Sequence, residues 1–195
     1  MRQSAPPLLP ILRSQAQGRL LARLLLHPED ALGIRELARQ TGTAVATTGR
    51  EVGLLVDAGV LSEERTGRNR VVRVNPASPL VPPLTQLITL TFGPREVLAT
   101  RLRGVPGIDA AYIFGSWAAR YEGERGSPPN DVDVLIIGCP DREALDEIIE
   151  VAERELRRPV QATVRRELSS RDPFGASVAS RPLVPIPLGS EPENS

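Results

Sequence analysis

Apolar and polar positions change rhythm several times along this chain. From Ser14 to Leu26 the apolar residues recur at helical spacing, and Pro28 stops the run. The stretch 33–40 reads as a short second helix with Ile34, Leu37 and Ala38 inward. Thr41-Gly42-Thr43 breaks it, because Gly42 suits the left-handed conformation that ends a helix and Thr43 suits the start of the next. A third helix over 44–58 is expected to bury Val45, Val52, Leu55 and Val56, and Gly59 ends it. Two β-prone runs, 60–65 and 70–74, then flank the polar turn Thr66-Gly67-Arg68-Asn69, which predicts a hairpin.

The four prolines between Pro76 and Pro83 mark a hinge, followed by helices over 84–92 and 95–102. Beyond them the period shortens. Strands are expected at 108–114 and 131–137, separated by a short helix from Trp117 to Tyr121 and a polar Gly/Pro loop over 122–130. An amphipathic helix over 142–158 puts Leu145, Ile148, Ile149, Ala152 and Leu156 on one face. A third strand over 159–164, a helix over 172–180 and a Pro-rich segment near 183–188 complete the series, and the tail 189–195 is expected to be disordered. The order helix, helix, tight turn, helix, hairpin is that of a winged helix-turn-helix. The expected fold class is therefore α+β: a winged helix-turn-helix domain over 11–76, a helical linker over 77–104, and a small mixed-sheet α/β domain over 105–188.

Composition changes this picture in three places. All 24 basic residues are arginine and balance 24 acids, yet the charge is uneven: residues 1–77 hold 11 Arg against 7 acids, and residues 78–195 hold 13 against 17. The basic amino-terminal part favours a polyanionic partner, and the acidic remainder argues against nucleic acid wrapping the whole molecule. Cys139 is the one cysteine and His27 the one histidine, which leaves no disulfide framework, no cysteine-based zinc site and no motif for Ser-His-Asp chemistry. The apolar stretch from Leu20 to Leu26 is short and interrupted by Arg23, and no signal-peptide pattern begins the chain, so no membrane partner and a cytoplasmic location are expected.

A helix-turn-helix sets its second helix in the major groove of double-stranded DNA. With Val45, Val52 and Leu55 turned inward, Thr43, Ala44, Thr47, Thr48 and Arg50 remain to face the groove. Arg39 is placed to hold a phosphate, and Arg65, Arg68, Arg70 and Arg73 cluster on the hairpin, where a wing meets the backbone. The segment 14–75 resembles the MarR/ArsR-type winged helix domains, carried by Ile34-Arg35-Glu36-Leu37-Ala38 and by the ending Leu55-Val56-Asp57-Ala58-Gly59-Val60-Leu61. The resemblance implies a DNA-binding transcription regulator, and two half-sites would suit a homodimer, although no dimer seam is visible.

The second half carries Phe114-Gly115-Ser116 after one strand and Asp131-Val132-Asp133 at the start of the next. Strand residues two apart share a face about 7 Å apart, so Asp131 and Asp133 present two carboxylates together, a donor set suited to Mg2+ with substrate phosphate oxygens. Gly115 lets backbone amides approach a phosphate, the Ser116 hydroxyl adds a donor, and the helix start favours an anion. Over 105–165 this pattern resembles the DNA polymerase β-type nucleotidyltransferase superfamily in its minimal form. That resemblance implies nucleotidyl transfer from an NTP such as ATP, with Asp131 and Asp133 as catalytic metal ligands and Gly115 and Ser116 on the triphosphate. It also implies a loop-supporting role for Arg120.

Two departures bear on activity. The 14 residues between Ser116 and Asp131 exceed the usual spacing, and the third strand lacks the carboxylate that active members place there. In Val160-Gln161-Ala162-Thr163-Val164 the non-apolar face offers Gln161 and Thr163, while Glu167 lies beyond the strand. Two readings stand at this point. One is a regulator that binds Mg-NTP and transfers a nucleotidyl group to a protein or small-molecule acceptor. The other is a transcription factor whose second domain is catalytically inactive and senses nucleotide.

Overall fold

In a computed structural model, residues 14–66, 69–168 and 181–189 are described. The chain divides between Phe92 and Gly93 into two units, a boundary inside the stretch read as a helical linker. The expected helix 172–180, the residues Gly67 and Arg68 of the hairpin turn, and the tail beyond Gly189 lie outside the described residues.

The first unit runs α1 (Gln15–Leu25), β1 (Leu32–Gly33), α2 (Ile34–Thr41), α3 (Val45–Asp57), β2 (Leu61–Thr66), β3 (Asn69–Val74) and α4 (Val81–Phe92). Ser14 starts α1 by accepting the Gln17 amide on its hydroxyl. The face Leu20, Leu21, Leu24 and Leu25 is buried, each such side chain contributing about 1.5–3 kcal/mol. Arg23, which interrupts that apolar run, is also buried; its Nε donates to Gln40 Oε1 at 2.5 Å and its guanidinium pairs with Asp30. Gly18 lets α4 close on α1, since a β-carbon there would overlap the Phe92 ring.

Gly42, at φ +62°, ends α2 and turns the chain into α3. A chain of hydroxyls crosses that turn: Thr41 Oγ1 donates to Leu37 O at 2.8 Å, and Thr41, Thr43 and Thr48 are linked at 2.8 and 2.6 Å. Hairpin β2–β3 is antiparallel, and β1, a two-residue strand missed by the periodicity, adds to its other side to give the order β1-β3-β2. Val60, Leu61, Val72 and Val74 bring its apolar face into the core. The unit is a winged helix arrangement in its element order and sheet. The expected burial of Val45 is corrected: it stands on the first turn of α3 at 50% exposure.

The second unit runs α5 (Pro94–Leu102), β4 (Ile108–Phe114), α6 (Gly115–Tyr121), β5 (Val132–Gly138), α7 (Arg142–Leu156), β6 (Val160–Arg165) and β7 (Val184–Pro185). Its mixed sheet has the order β6-β5-β4-β7, with β4 antiparallel to β5 and β7, and β5 parallel to β6. Helix α7 is the crossover that a parallel pair requires. Asp141 caps it by accepting the Ala144 amide at 2.9 Å, and Leu145, Ile149, Ala152 and Leu156 form its buried face. Strand β5 buries Val132 and the consecutive Val134, Leu135 and Ile136, so side chains on both of its faces enter the core, and Asp133 interrupts that run. Among the described residues no helix is long and apolar enough to cross a membrane.

Candidate functional site

The register of the sheet brings the two motifs of the second unit together. Phe114, the last residue of β4, pairs with Asp133 of β5, so the chain leaves the sheet at Gly115 directly beside that carboxylate. Gly115 has φ +67°, and a β-carbon there would stand 2.5 Å from Asp133 Oδ2. Only glycine satisfies both demands. Gly115, Ser116 and Asp133 line one cleft of about 420 Å³ with Ala119, Arg120, Glu124, Arg181 and Pro182. Helix α6 has seven residues, too short for a strong dipole, so its start offers amides and the Ser116 hydroxyl.

Asp131 stands immediately before β5. Burial holds the Asp133 carboxyl above its ordinary value, and the charge of Asp131 pushes it the same way. Asp131 is not among the residues that line the cleft, but its charge reaches Asp133, and a divalent cation shared by the two would relieve that repulsion. Among the described residues no group of three or more His, Cys, Asp or Glu gathers around a common point. A metal here would therefore take two carboxylates plus water and phosphate oxygens, a coordination that Mg2+ accepts. The parallel register sets Gln161 of β6 beside Asp133, and Gln161 Nε2 donates to Asp131 Oδ2 at 3.0 Å.

Both ends of the long loop 122–130 are tied down. Arg120 Nη1 donates to Glu124 O at 3.3 Å and Oε1 at 3.1 Å, and its Nε to Ser127 O at 3.3 Å. Arg158, buried, donates to Pro129 O and lays its guanidinium 5.6 Å from the centre of the Trp117 ring. Val132 N donates to Pro159 O at 2.9 Å, which fixes the residue between the two aspartates. Behind the site, Tyr121 Oη accepts the Arg95 amide at 2.9 Å, and burial raises the phenol well above its usual range. It stays neutral and structural.

The first unit disposes its expected DNA contacts unevenly. Ala44, just before α3, and Ala46 and Arg50 on it are exposed, and Thr47 is half-buried; the Arg50 side chain is 71% exposed, with Nε 3.8 Å from Glu51. Thr48 is corrected: fully buried, it donates to Ala44 O at 3.1 Å and joins the hydroxyl chain to Thr43, so it holds the turn and meets no groove. Arg39 is exposed, with Nε and Nη2 on the Glu36 carboxylate at 2.9 and 2.5 Å. Arg68 lies outside the described residues.

Among the described residues, the hairpin arginines carry acid partners, a pairing that a count of charges does not reveal. Arg65 and Arg70 face each other across β2 and β3, a repulsive juxtaposition in itself. Glu63, two residues before Arg65 and so on the same face, accepts from Arg65 Nε at 2.7 Å and Arg70 Nε at 2.6 Å. Both guanidinium groups hold its carboxyl below the usual range. Arg73 pairs with Glu64 at 2.7 Å. Alternation in Glu63-Glu64-Arg65 was the available signal. Arg181, too, was missed as a cleft residue, because nothing local in sequence connects it to Gly115.

No family model matches the chain, and no curated protein sequence matches it. Among solved structures, the chain is similar to reduced HlyU from Vibrio cholerae N16961, at 16% identity and a TM-score of 0.34, over 43% of this chain and 82% of that one.

Proposed function

We propose that this chain is a DNA-binding transcription regulator whose second unit is nucleotidyltransferase-like and binds a magnesium nucleoside triphosphate. The observation that carries the nucleotide reading is the contact between Gly115 and Asp133, where a glycine-serine bend is pressed against a partly desolvated carboxylate. Asp131 and Asp133 would hold Mg2+; the amides at Gly115 and Ser116, with the Ser116 hydroxyl, would bind phosphate oxygens. When bound, the metal would neutralise the carboxylate pair and polarise the triphosphate. Loop 122–130, held by Arg120 and Arg158, would limit water access on one side.

Turnover needs a base for the attacking hydroxyl, and here a second reading gains ground. Gln161 stands where the resemblance places a third carboxylate, and its amide occupies a lone pair of Asp131. An amide does not accept a proton at neutral pH, so this geometry favours a nucleotide sensor over a transferase. For DNA, the support is the order of elements in the first unit, exposed Arg50 on α3 and the exposed arginines of the hairpin. Exposed ion pairs are worth about 0–1 kcal/mol, so Glu64 would release Arg73 to a phosphate at little cost, whereas Glu63, more enclosed, holds Arg70 more firmly.

Two assays test this. Calorimetric titration with a non-hydrolysable ATP analogue is expected to show binding that depends on Mg2+ and is lost in Asp133→Asn. Label transfer from α-labelled ATP to a lysate, abolished by the same substitution, would favour the transferase; binding without transfer favours the sensor. No binding of any nucleoside triphosphate would overturn the nucleotide reading.

A further inference from the structure

The cleft contains a charged residue that neither motif supplies. Arg181 reaches it from the far end of the chain, and the intervening strand explains how it is delivered. Strand β7 pairs with β4 through Ile113–Val184 and Tyr112–Pro185, and Ile186 N donates to Ala111 O at 2.9 Å. Val184 and Ile186 are buried, and Arg95 Nε donates to Pro185 O at 2.9 Å. Pro185 lacks an N–H, which an edge strand tolerates. Arg181 stands three residues before this anchored pair, and Pro182 restricts its backbone to extended conformations. Its position is therefore built by the fold.

The charges of the cleft then sort themselves. Arg120 is committed to the loop through Glu124 and Ser127. A bound Mg2+ would offset Asp131 and Asp133, which leaves the negative charge of the phosphate chain to be met. Arg181 is exposed, and among the described residues no hydrogen bond or ion pair engages it. We infer that Arg181 is the cation that grips the phosphate chain of a magnesium-bound triphosphate in this cleft, an assignment that rests on the nucleotide reading above. A guanidinium fork meets two phosphate oxygens at once, a geometry that lysine does not reproduce. Recognition of this kind is indifferent to the base. It discriminates by phosphate number.

The test uses the full-length protein and two probes, Mg2+ with inorganic tripolyphosphate and Mg2+ with a non-hydrolysable ATP analogue. Arg181→Ala is expected to weaken both by roughly 10- to 100-fold, the range for a charge-assisted hydrogen bond, with AMP affinity changed far less. Arg181→Lys should recover part of the loss, and Arg142→Ala, on exposed α7 surface, should bind like wild type. Because the Arg181 side chain is exposed, its removal leaves the core intact, and circular dichroism checks that. If wild type binds both probes and Arg181→Ala binds them equally well, the assignment falls while the nucleotide reading survives. If wild type binds neither, both fall. A loss for the ATP analogue with tripolyphosphate unchanged would also overturn the assignment, since it would place Arg181 on the base or sugar.

Discussion

The carboxylate of Asp133 fills the space that a side chain at residue 115 would need, with Oδ2 2.5 Å from the β-carbon position of Gly115. Gly115→Ala therefore strains the turn and displaces the Asp133 carboxylate. The left-handed backbone alone costs a non-glycine residue about 1–2 kcal/mol. We expect a lower Tm together with loss of Mg-ATP-analogue binding. Gly123→Ala is the control, since φ there is +91° and nothing lies within 4 Å; it should lower Tm and keep binding. Equal binding in both variants would remove Gly115 from the site.

The raised Asp133 carboxyl gives the second unit a pH signature. A group raised on folding favours the folded state when protonated; that contribution is full below the ordinary carboxylate pKa and is lost as pH rises through the raised value of Asp133. Mg2+ requires the ionised form, so stabilisation by the metal should grow over the same window. Tm measured against pH with and without Mg2+ should show the two curves separating as pH rises. Carbon-13 NMR of the Asp133 carboxyl should move to a lower pKa in Asp131→Asn, because one of its two causes is gone. An unmoved titration would show that the aspartates do not sense each other.

Gln161→Glu puts a carboxylate beside Asp133 and removes a donor from Asp131. Without metal the variant should be destabilised by about 1 kcal/mol, from one lost hydrogen bond and added repulsion. With Mg2+ the sign should reverse, since the cation then meets three carboxylates. Thermal melts at several Mg2+ concentrations check this, and a metal-independent Tm in the variant would contradict it.

Glu63 holds Arg65 and Arg70 together on the hairpin. If those arginines meet DNA phosphates, Glu63→Gln should tighten DNA binding at low salt, and Arg70→Ala should weaken it and reduce the salt slope by about 1. Arg50→Ala should weaken binding as well. Fluorescence anisotropy on a labelled duplex across a salt series provides the measurement. Unchanged affinity in all three would leave the wing and α3 without a role on DNA.

The elements with a strong period were legible. Helix α7 announced itself through the face Leu145–Ile149–Ala152–Leu156, and the turn at Thr41-Gly42-Thr43 fell where the glycine placed it. Strands β1 and β7 were not, because two residues have no period and form only against a partner already in place. Side-chain direction failed at the start of α3: Val45 is apolar and exposed, whereas Thr48 is polar and buried because its hydroxyl is satisfied within the turn. At the cleft, Gly115, Ser116 and Asp133 were readable from spacing. Arg181 was not, since its approach depends on β4–β7 pairing across some 70 residues of chain. The charges on the wing were counted correctly, but their mutual neutralisation depends on cross-strand register.

The single tryptophan, Trp117, is buried under the guanidinium of Arg158, and both tyrosines, Tyr112 and Tyr121, belong to the same unit. The first unit thus contributes no indole or phenol chromophore. Emission excited at the red edge reports the second unit alone, while the amide signal in the far ultraviolet reports both. A single denaturation experiment read at these two wavelengths therefore tells whether the halves of the chain melt together or in turn.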